Sequence, residues 1–238
     1  MVAATALCHR RYQNDDYGKD YLKGLKEALG DNAASMIVAE EAYDVTEATV
    51  DSHVIKMKSL NADVFVNIAT SRLAAQAIRK AAAIGWKPLH FLNNVSASVG
   101  VVMKPAGLEA SQGIISSAYL KDPTDPQWKD YSDMKAWNQF LDKYYPDADR
   151  ADGAVIYAYM EAQALEHVLK ACGDNLTREN VMKQAASIKD LELGGLLPGI
   201  KLNTSATDFA PLSQLQLARF KGETWERFGD IVSADVGE

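Results

Sequence analysis

The sequence has little of three things on which many functional sites depend: cysteine, histidine and an excess of positive charge. Its two cysteines, Cys8 and Cys172, have no second cysteine or histidine at ligand spacing, so neither a disulfide framework nor a zinc site is expected. Lysine and arginine number 25 against 32 aspartates and glutamates, which gives a net charge of −7. Because nucleic-acid and membrane-surface binding need clustered positive charge, we expect neither.

Long apolar runs are also missing. The longest, residues 154–160, has seven residues, whereas a transmembrane helix needs about 18 or more. Residues 1–8 are followed at once by His9, Arg10 and Arg11. That order does not match the basic start, apolar stretch and cleavage site of a signal peptide. We expect neither a transmembrane helix nor a signal peptide in this chain.

Motifs of catalysis are missing as well. The sequence has no G-x-x-x-x-G-K-[ST], no G-x-G-x-x-G after a strand, no G-x-S-x-G and no H-E-x-x-H. Asp15 and Asp16 resemble the acidic pair of phosphoacceptor receiver domains, but Asn67 stands where that chemistry needs an aspartate. We therefore predict no enzyme activity, catalytic residue, metal or cofactor. A metabolic α/β enzyme is the alternative, and loss of turnover on mutating Asp15 or Asp16 would support it.

Two hydrophobic periods alternate over residues 12–119. Apolar runs that favour strands are followed by apolar residues at helical spacing, in three or four successive units. The predicted strands are residues 2–12, 35–39, 64–68, 90–92 and 113–119. The predicted helices cover residues 21–29, 50–60 with Thr46 as an N-cap candidate, and 73–84. The alternation is typical of an α/β fold with a parallel sheet covered by helices.

The second half has a different pattern. Apolar residues at helical spacing predict helices over residues 134–144, 154–169 and 178–188, the last capped by Thr177. Alternation in Leu215, Leu217 and Phe220, a turn near Gly222, and then Trp225 predict a terminal hairpin.

Neutral hydrogen-bonding residues follow the predicted strands, in residues 14–18, 43–44, 67–71 and 93–98. Ligands of open parallel sheets bind at this carboxyl edge, so the residues predict a small polar ligand held by hydroxyls, amides and helix N-termini. Structural explanations stay open for each group. Thr70 or Ser71 could cap a helix, Asp16 could belong to a loop or cap, and Asn93 with Asn94 could form a turn.

Four segments resemble, in order, the Leu/Ile/Val-binding group of periplasmic substrate-binding proteins of ABC importers. They are YQNDDYGKDYLKGLKEALG, TEATVDSHVIKMKSLNADVFVNIAT, AAQAIRKAAAIGWKPLHFLNNVSASVG and LTRENVMKQAASIKDLELGGLLPGIKLNT. The resemblance implies the type I periplasmic-binding fold, in which two lobes joined by a three-stranded hinge close over a small ligand. It implies a periplasmic solute-binding component that delivers an amino acid or related carboxylic acid to a membrane permease. A ligand-sensing domain of a receptor or regulator with the same fold is the alternative.

The resemblance also implies which residues contact the ligand and which form the hinge. The implied ligand-binding residues are Tyr17, Asp16, Thr70, Ser71, Asn93, Asn94 and Ser96, and the implied hinge residues are Ser117, Lys121 and Leu197. Some family members bind the ligand's ammonium with an acid near Asn94 and Val95, and this loop has none. We therefore expect the ammonium to be paired elsewhere, or a ligand without one, such as an aromatic or aliphatic acid.

Chains of that family place a signal peptide and several βα units before the YQNDDYG segment, so the resemblance implies a chain that lacks much of its N-terminal lobe. Residues 1–119 are expected to be α/β units of the second lobe, 120–193 helices of the first lobe, and 194–238 return strands with a terminal hairpin. The predicted fold class is thus a three-layer parallel-sheet lobe plus a helical remnant. Helices 127–144 and 154–172 would then expose apolar faces, and we expect self-association through them.

Overall fold

Strands and helices alternate through the first half of the chain, and helices dominate much of the second. The computed structural model describes residues 8–234, with side chains from residue 12 onward. The strands are β1 (Cys8–Gln13), β2 (Ile37–Tyr43), β3 (Val64–Ile68), β4 (Leu89–Leu92), β5 (Ile115–Ala118), β6 (Gln214–Lys221) and β7 (Thr224–Ser233). The α-helices are α1 (Asp16–Leu29), α2 (Ala33–Met36), α3 (Asp51–Ser59), α4 (Ser71–Ala83), α5 (Lys104–Ala106), α6 (Ser132–Tyr144), α7 (Gly153–Cys172) and α8 (Arg178–Ala185).

The strands form one mostly parallel sheet in the order β2-β1-β3-β4-β5-β6-β7. β1 pairs in parallel with both β2 and β3, and the pairs β3–β4 and β4–β5 are parallel too. The predicted α/β fold class is therefore confirmed. Because parallel strands end at the same edge, the segments that follow β1, β3 and β4 lie at one carboxyl edge.

The described chain divides into two compact units. Unit 1 contains residues 8–117 and 219–226, and unit 2 contains residues 118–218 and 227–234. The chain therefore passes between the units after Ser117, after Ala218 and after Glu226. The predicted segment boundaries at residues 119 and 193, and the assignment of segments to lobes, stay predictions.

Several predicted elements match the structure, and others differ. α1 begins at Asp16 and not at Tyr21, and α8 ends at Ala185 and not at residue 188. β3, the Thr177 cap of α8 and the β6–β7 hairpin are confirmed. β2 begins two residues later than predicted because Ala33–Met36 is helical. Thr46 as the N-cap of α3 is wrong. Asp44 and Glu47 instead close a turn, in which the Glu47 amide donates to the Asp44 carbonyl at 3.0 Å and its carboxylate accepts from the Asp44 amide at 2.9 Å. Residues 2–7 of the predicted first strand lie outside the described residues.

His90 lies in β4 inside the apolar core of unit 1. Its side chain is 8% exposed, and its ring centroid lies 4.5 Å from that of Phe65, which itself packs on Trp86. Within the described residues, its Nε2 atom has no hydrogen-bond partner. Burial removes the water that would solvate an imidazolium and lowers the pKa of His90 to about 3.

We expect His90 to make unit 1 sensitive to mild acid. The unfolded chain binds a proton at His90 near pH 6.5 and the folded chain only near pH 3, so stability falls as pH is lowered between these values. This one group removes about 2 kcal/mol of unfolding free energy between pH 7 and pH 5. Urea titrations of the wild type and of His90→Leu at several pH values measure the difference. The prediction fails if both lose stability equally, and His167→Gln, an exposed histidine, is the control.

Unit 2 has its own core, formed where α6, α7 and α8 pack on the loops that return to the sheet. Its buried members include Trp128, Trp137, Ile156, Met160, Leu197 and Ile200. The Thr177 hydroxyl accepts from the Asn180 amide at 3.4 Å and so caps α8. None of the helices in the described part of the chain has the length and apolarity that crossing a bilayer requires.

Candidate functional site

Helix α1 begins directly against the end of β1. The Asp15 side chain caps it, because Oδ1 accepts from the Gly18 amide at 3.1 Å and Oδ2 accepts from Gln13 Nε2. Gly18 is buried so closely against the strand that a Cβ there would lie 2.0 Å from the Gln13 carbonyl oxygen. The missing side chain of Gly18 therefore lets α1 start at the carboxyl edge, which brings Tyr17 and Tyr21 there.

Tyr17 and Tyr21 reach from α1 to the loop after β4. The Tyr17 hydroxyl donates to Asn93 Oδ1 at 3.0 Å, and the Tyr21 hydroxyl donates to Asn94 Oδ1 at 2.6 Å. Their rings meet edge to face with centroids 5.1 Å apart. Burial raises the pKa of both hydroxyls, so both are neutral hydrogen-bond donors. The pair forms an aromatic surface at this edge.

Asn93 ties the loops after β3 and β4 together. Its Nδ2 donates to the carbonyls of Asn67 at 3.1 Å and Ala69 at 2.8 Å, and its Oδ1 also accepts from the Ser96 amide at 3.1 Å. The Ser96 hydroxyl donates to the Ala69 carbonyl at 2.7 Å, and Ser96 is fully buried. The side-chain polar atoms of Asn93 thus all bond to other groups of the protein, and these bonds hold the surrounding backbone in place.

A second network lies at the start of α4. The Tyr43 hydroxyl accepts from the Thr70 amide at 2.9 Å and donates to Gln13 Oε1 at 3.3 Å. The Thr70 hydroxyl also donates to Gln13 Oε1, at 3.2 Å. Thr70 stands at the N-cap position, yet its side chain does not cap the helix. The Leu73 amide donates to the Thr70 carbonyl at 2.9 Å. Among the described residues, the amides of Ser71 and Arg72 have no acceptor, so they are open to one that comes from outside the helix.

The seven predicted ligand-binding residues all lie in unit 1, but the contacts join only some of them. Asn93 contacts Tyr17 and Ser96, as described above, and Asn94 contacts Tyr21, which the prediction omitted. Thr70 belongs to the separate network of Gln13 and Tyr43, also omitted. Asp16 and Ser71 are the first residues of α1 and α4. Their role in ligand binding stays a prediction.

The predicted hinge residues lie in different units. Ser117 is the last residue of unit 1 before the first passage between units. Lys121 and Leu197 lie in unit 2, where the Lys121 amide donates to the Gly195 carbonyl and the Leu197 amide to the Tyr119 carbonyl, each at 2.8 Å. Leu197 is 3% exposed in the unit 2 core. The hinge assignment stays a prediction.

The chemistry of the edge is that of a binding surface. It offers tyrosine rings, hydroxyl and amide groups, and the open amides of α4, which attract an anion because the helix dipole is positive there. Among the described residues, no three histidine, cysteine, aspartate or glutamate side chains lie together as metal ligands do.

Comparisons with known proteins agree with this type of chemistry. A family model described as a periplasmic binding protein matches residues 8–224. A search of curated proteins finds no significant match.

Solved structures with the same fold include a substrate-binding periplasmic protein from Ralstonia solanacearum, with 20% identity and a TM-score of 0.75 over 91% of this chain and 59% of that one. A branched-chain amino acid ABC transporter protein from Thermus thermophilus with bound valine has 12% identity and a TM-score of 0.77, over 98% and 62%. An R. palustris ABC transporter solute-binding protein in complex with benzoate has 18% identity and a TM-score of 0.70, over 97% and 59%. This chain thus spans about three-fifths of the length of these structures.

Proposed function

This chain belongs to the periplasmic binding protein family, and from that premise we propose that it binds a small carboxylic acid at the carboxyl edge of unit 1. The ligand class is an amino acid or a related aromatic or aliphatic carboxylate. The observation that carries the proposal is that Asn93, which accepts from the Tyr17 hydroxyl, also donates to the Ala69 carbonyl just before α4. This connects the aromatic pair Tyr17 and Tyr21 to the segment that leads into the uncapped start of α4. Structures of the same fold hold valine and benzoate, both small carboxylates.

Each part of the edge has a distinct role in this proposal. The first amides of α4 and the Ser71 hydroxyl bind the carboxylate, because unpaired helix N–H groups and the dipole favour a negative charge. The tyrosine rings contact the apolar body of the ligand. Asn93 and Ser96 hold the loops in place, since their polar groups already bond to the protein. Loop 93–98 has no acid for an ammonium group, which favours acids without one.

The proposal extends to location and partner. Family membership supports a periplasmic or extracytoplasmic location and a membrane permease of an ABC importer as the partner. Uptake of the identified ligand, measured in cells that lack the gene, discriminates the transport role from the sensor alternative. Reduced uptake would support the transport role. Unchanged uptake with an altered response to the ligand would favour the sensor.

A thermal-shift screen tests ligand binding. We expect one class among amino acids, aromatic acids and short aliphatic acids to raise the melting temperature of this chain. At a concentration of about 100 Kd the ligand adds roughly 2.7 kcal/mol, which corresponds to roughly 5 to 11 °C for a chain of this size. A cooperative melt that no acid shifts would contradict binding by this chain.

Ser71→Glu tests where the carboxylate binds. A carboxylate introduced at the first residue of α4 would favour the helix dipole by about 0.5 kcal/mol but repel the ligand, so we expect unchanged or slightly raised stability with loss of the thermal shift. Ser132→Glu is the matched control, since Ser132 also begins a helix whose N-cap residue makes no side-chain cap. An equal ligand shift in both variants would place the carboxylate elsewhere.

A further inference from the structure

Two helices of this chain begin after a threonine in a similar extended backbone conformation, yet only one of these threonines caps its helix. Thr70 precedes α4 with φ −87° and ψ 145°, and Thr177 precedes α8 with φ −66° and ψ 149°. The Thr177 hydroxyl accepts from the Asn180 amide, whereas the Thr70 hydroxyl makes no cap. Because threonine is a common N-cap residue, a group outside α4 must hold the Thr70 hydroxyl.

That group is the side chain of Gln13, at the end of β1. Its Oε1 accepts from the Thr70 hydroxyl at 3.2 Å and from the Tyr43 hydroxyl at 3.3 Å. The opposite end of the amide group is also fixed, because Nε2 donates to the Asp15 carboxylate, which offers only acceptors. Oε1 therefore has to face Thr70, and the Thr70 amide is held too, since it donates to the Tyr43 hydroxyl at 2.9 Å.

This arrangement leaves α4 less stable than a capped helix would be. A capping hydroxyl would accept from the amide of the second or third helical residue, here Arg72 or Leu73. With the Thr70 hydroxyl bonded to Gln13, the Ser71 and Arg72 amides have no acceptor in the described part of the chain. The bond to Gln13 thus opens the start of α4 at the expense of its stability.

The segment that leads into α4 holds another donor without an acceptor. Asn67 is fully buried, and its Oδ1 accepts at 3.2 Å from the amide of Ala69, the residue before Thr70. Its Nδ2 has no hydrogen-bond partner among the described residues. Buried donors are seldom left unpaired, and this one is independent of the helix start. Both observations indicate an acceptor that a bound molecule supplies.

We propose that Gln13 is a positioning residue, which holds the Thr70 hydroxyl and so keeps the start of α4 open for the carboxylate of the ligand. This inference rests on the proposed function, because the open amides are those that bind the carboxylate there. In this role Gln13 acts through Thr70 and does not contact the ligand. Since Gln13 also bonds to Asp15, the cap of α1, one side chain links a capped helix start to an uncapped one.

A crystal structure of Gln13→Met tests whether Gln13 controls Thr70. Methionine has a similar length, but its sulfur is only a weak acceptor. We expect the Thr70 hydroxyl to turn to the amide of Arg72 or Leu73 and to cap α4, as Thr177 caps α8. A Thr70 hydroxyl that makes no cap in this variant would overturn the proposal.

Tyr43→Phe is the matched control. It removes the other hydroxyl that bonds to Gln13 Oε1 and leaves the bond from Thr70, so the Thr70 hydroxyl should still make no cap. Capping by Thr70 in both variants would show that loss of the network, and not of Gln13 itself, turns the hydroxyl. If Gln13→Met fails to fold, a crystal structure of the wild type still decides, because a Thr70 hydroxyl that caps α4 there would overturn the proposal.

Titration calorimetry with benzoate tests the consequence for binding. Because the ligand has to displace the new cap, we expect Gln13→Met to raise the Kd for benzoate by about 5-fold or more. Gln13→Met combined with Thr70→Val should recover much of this affinity, since valine has no hydroxyl to cap α4, whereas a purely structural role of Gln13 predicts no recovery. A double variant that binds no more tightly than Gln13→Met would overturn the positioning role. A wild type that does not bind benzoate would count against an aromatic acid as the ligand, and the crystal structures would still decide the role of Gln13 at α4.

Discussion

Gly18→Ala is expected to destabilise unit 1 by about 3 kcal/mol or more, and to abolish ligand binding with it. A Cβ at this position would lie 2.0 Å from the Gln13 carbonyl oxygen and 2.7 Å from the Gln13 backbone nitrogen. These are backbone atoms of β1, which cannot move aside without breaking its pairing with β2 and β3. Either α1 shifts off the strand end or the sheet distorts, and either change is costly. Urea unfolding of the variant and the wild type measures the loss.

Gly24→Ala provides the matched control within the same helix. A Cβ at Gly24 meets nothing within 4 Å, and glycine in a helix interior costs about 0.5 to 1 kcal/mol relative to alanine. We therefore expect Gly24→Ala to stabilise the chain slightly, so the two substitutions should act in opposite directions. Destabilisation of similar size in both variants would mean that the close approach of Gly18 to β1 does not limit the position of α1.

The elements predicted most accurately are those whose own residues carry the hydrophobic pattern. The run VFVNI is apolar except for Asn67 and rich in β-branched residues, and β3 has the predicted bounds. The least accurate predictions concern residue types that occur both at helix N-caps and in turns. Thr46 has the side chain of a good N-cap, but α3 begins at Asp51, after Val50, whose side chain makes no cap hydrogen bond.

The candidate site was only partly predictable for a related reason. Strand order brings the segments after β1, β3 and β4 to one edge, so residues there could be named from the sequence. Tyr43 was among them, but Gln13 was not, since it belongs to β1 and acts through Tyr43 and Thr70. Gly18 lies among residues 14–18, which follow the first predicted strand, but nothing in the sequence shows that its missing side chain sets where α1 lies.

Lys121, which was predicted as a hinge residue, forms a buried ion pair that the sequence does not indicate. Its side chain is 7% exposed, and its Nζ pairs with Asp133 Oδ2, which also accepts from the Gly195 amide at 2.9 Å. The Tyr131 ring lies 5.1 Å from the same Nζ. Partial burial alone would raise the pKa of Asp133, but hydrogen bonds from Lys121 and Gly195 hold it below its ordinary value. The pair therefore stabilises unit 2 above the unfolded pKa of an aspartate, and this stabilisation is lost as pH falls through the lowered pKa.

Lys121→Met should destabilise the chain by about 2 to 4 kcal/mol at pH 7, because it removes the cation and leaves the Asp133 carboxylate partly buried. Lys121→Met combined with Asp133→Asn should recover much of that loss, since the amide oxygen of asparagine still accepts from Gly195 without a charge. Chemical unfolding of the two single variants and the double variant gives the coupling. Lys170→Met, which breaks an exposed pair with Glu166, should change stability by less than about 0.5 kcal/mol. A double variant as unstable as the sum of the singles would show that Lys121 acts through its packing on Tyr131 and not through its charge.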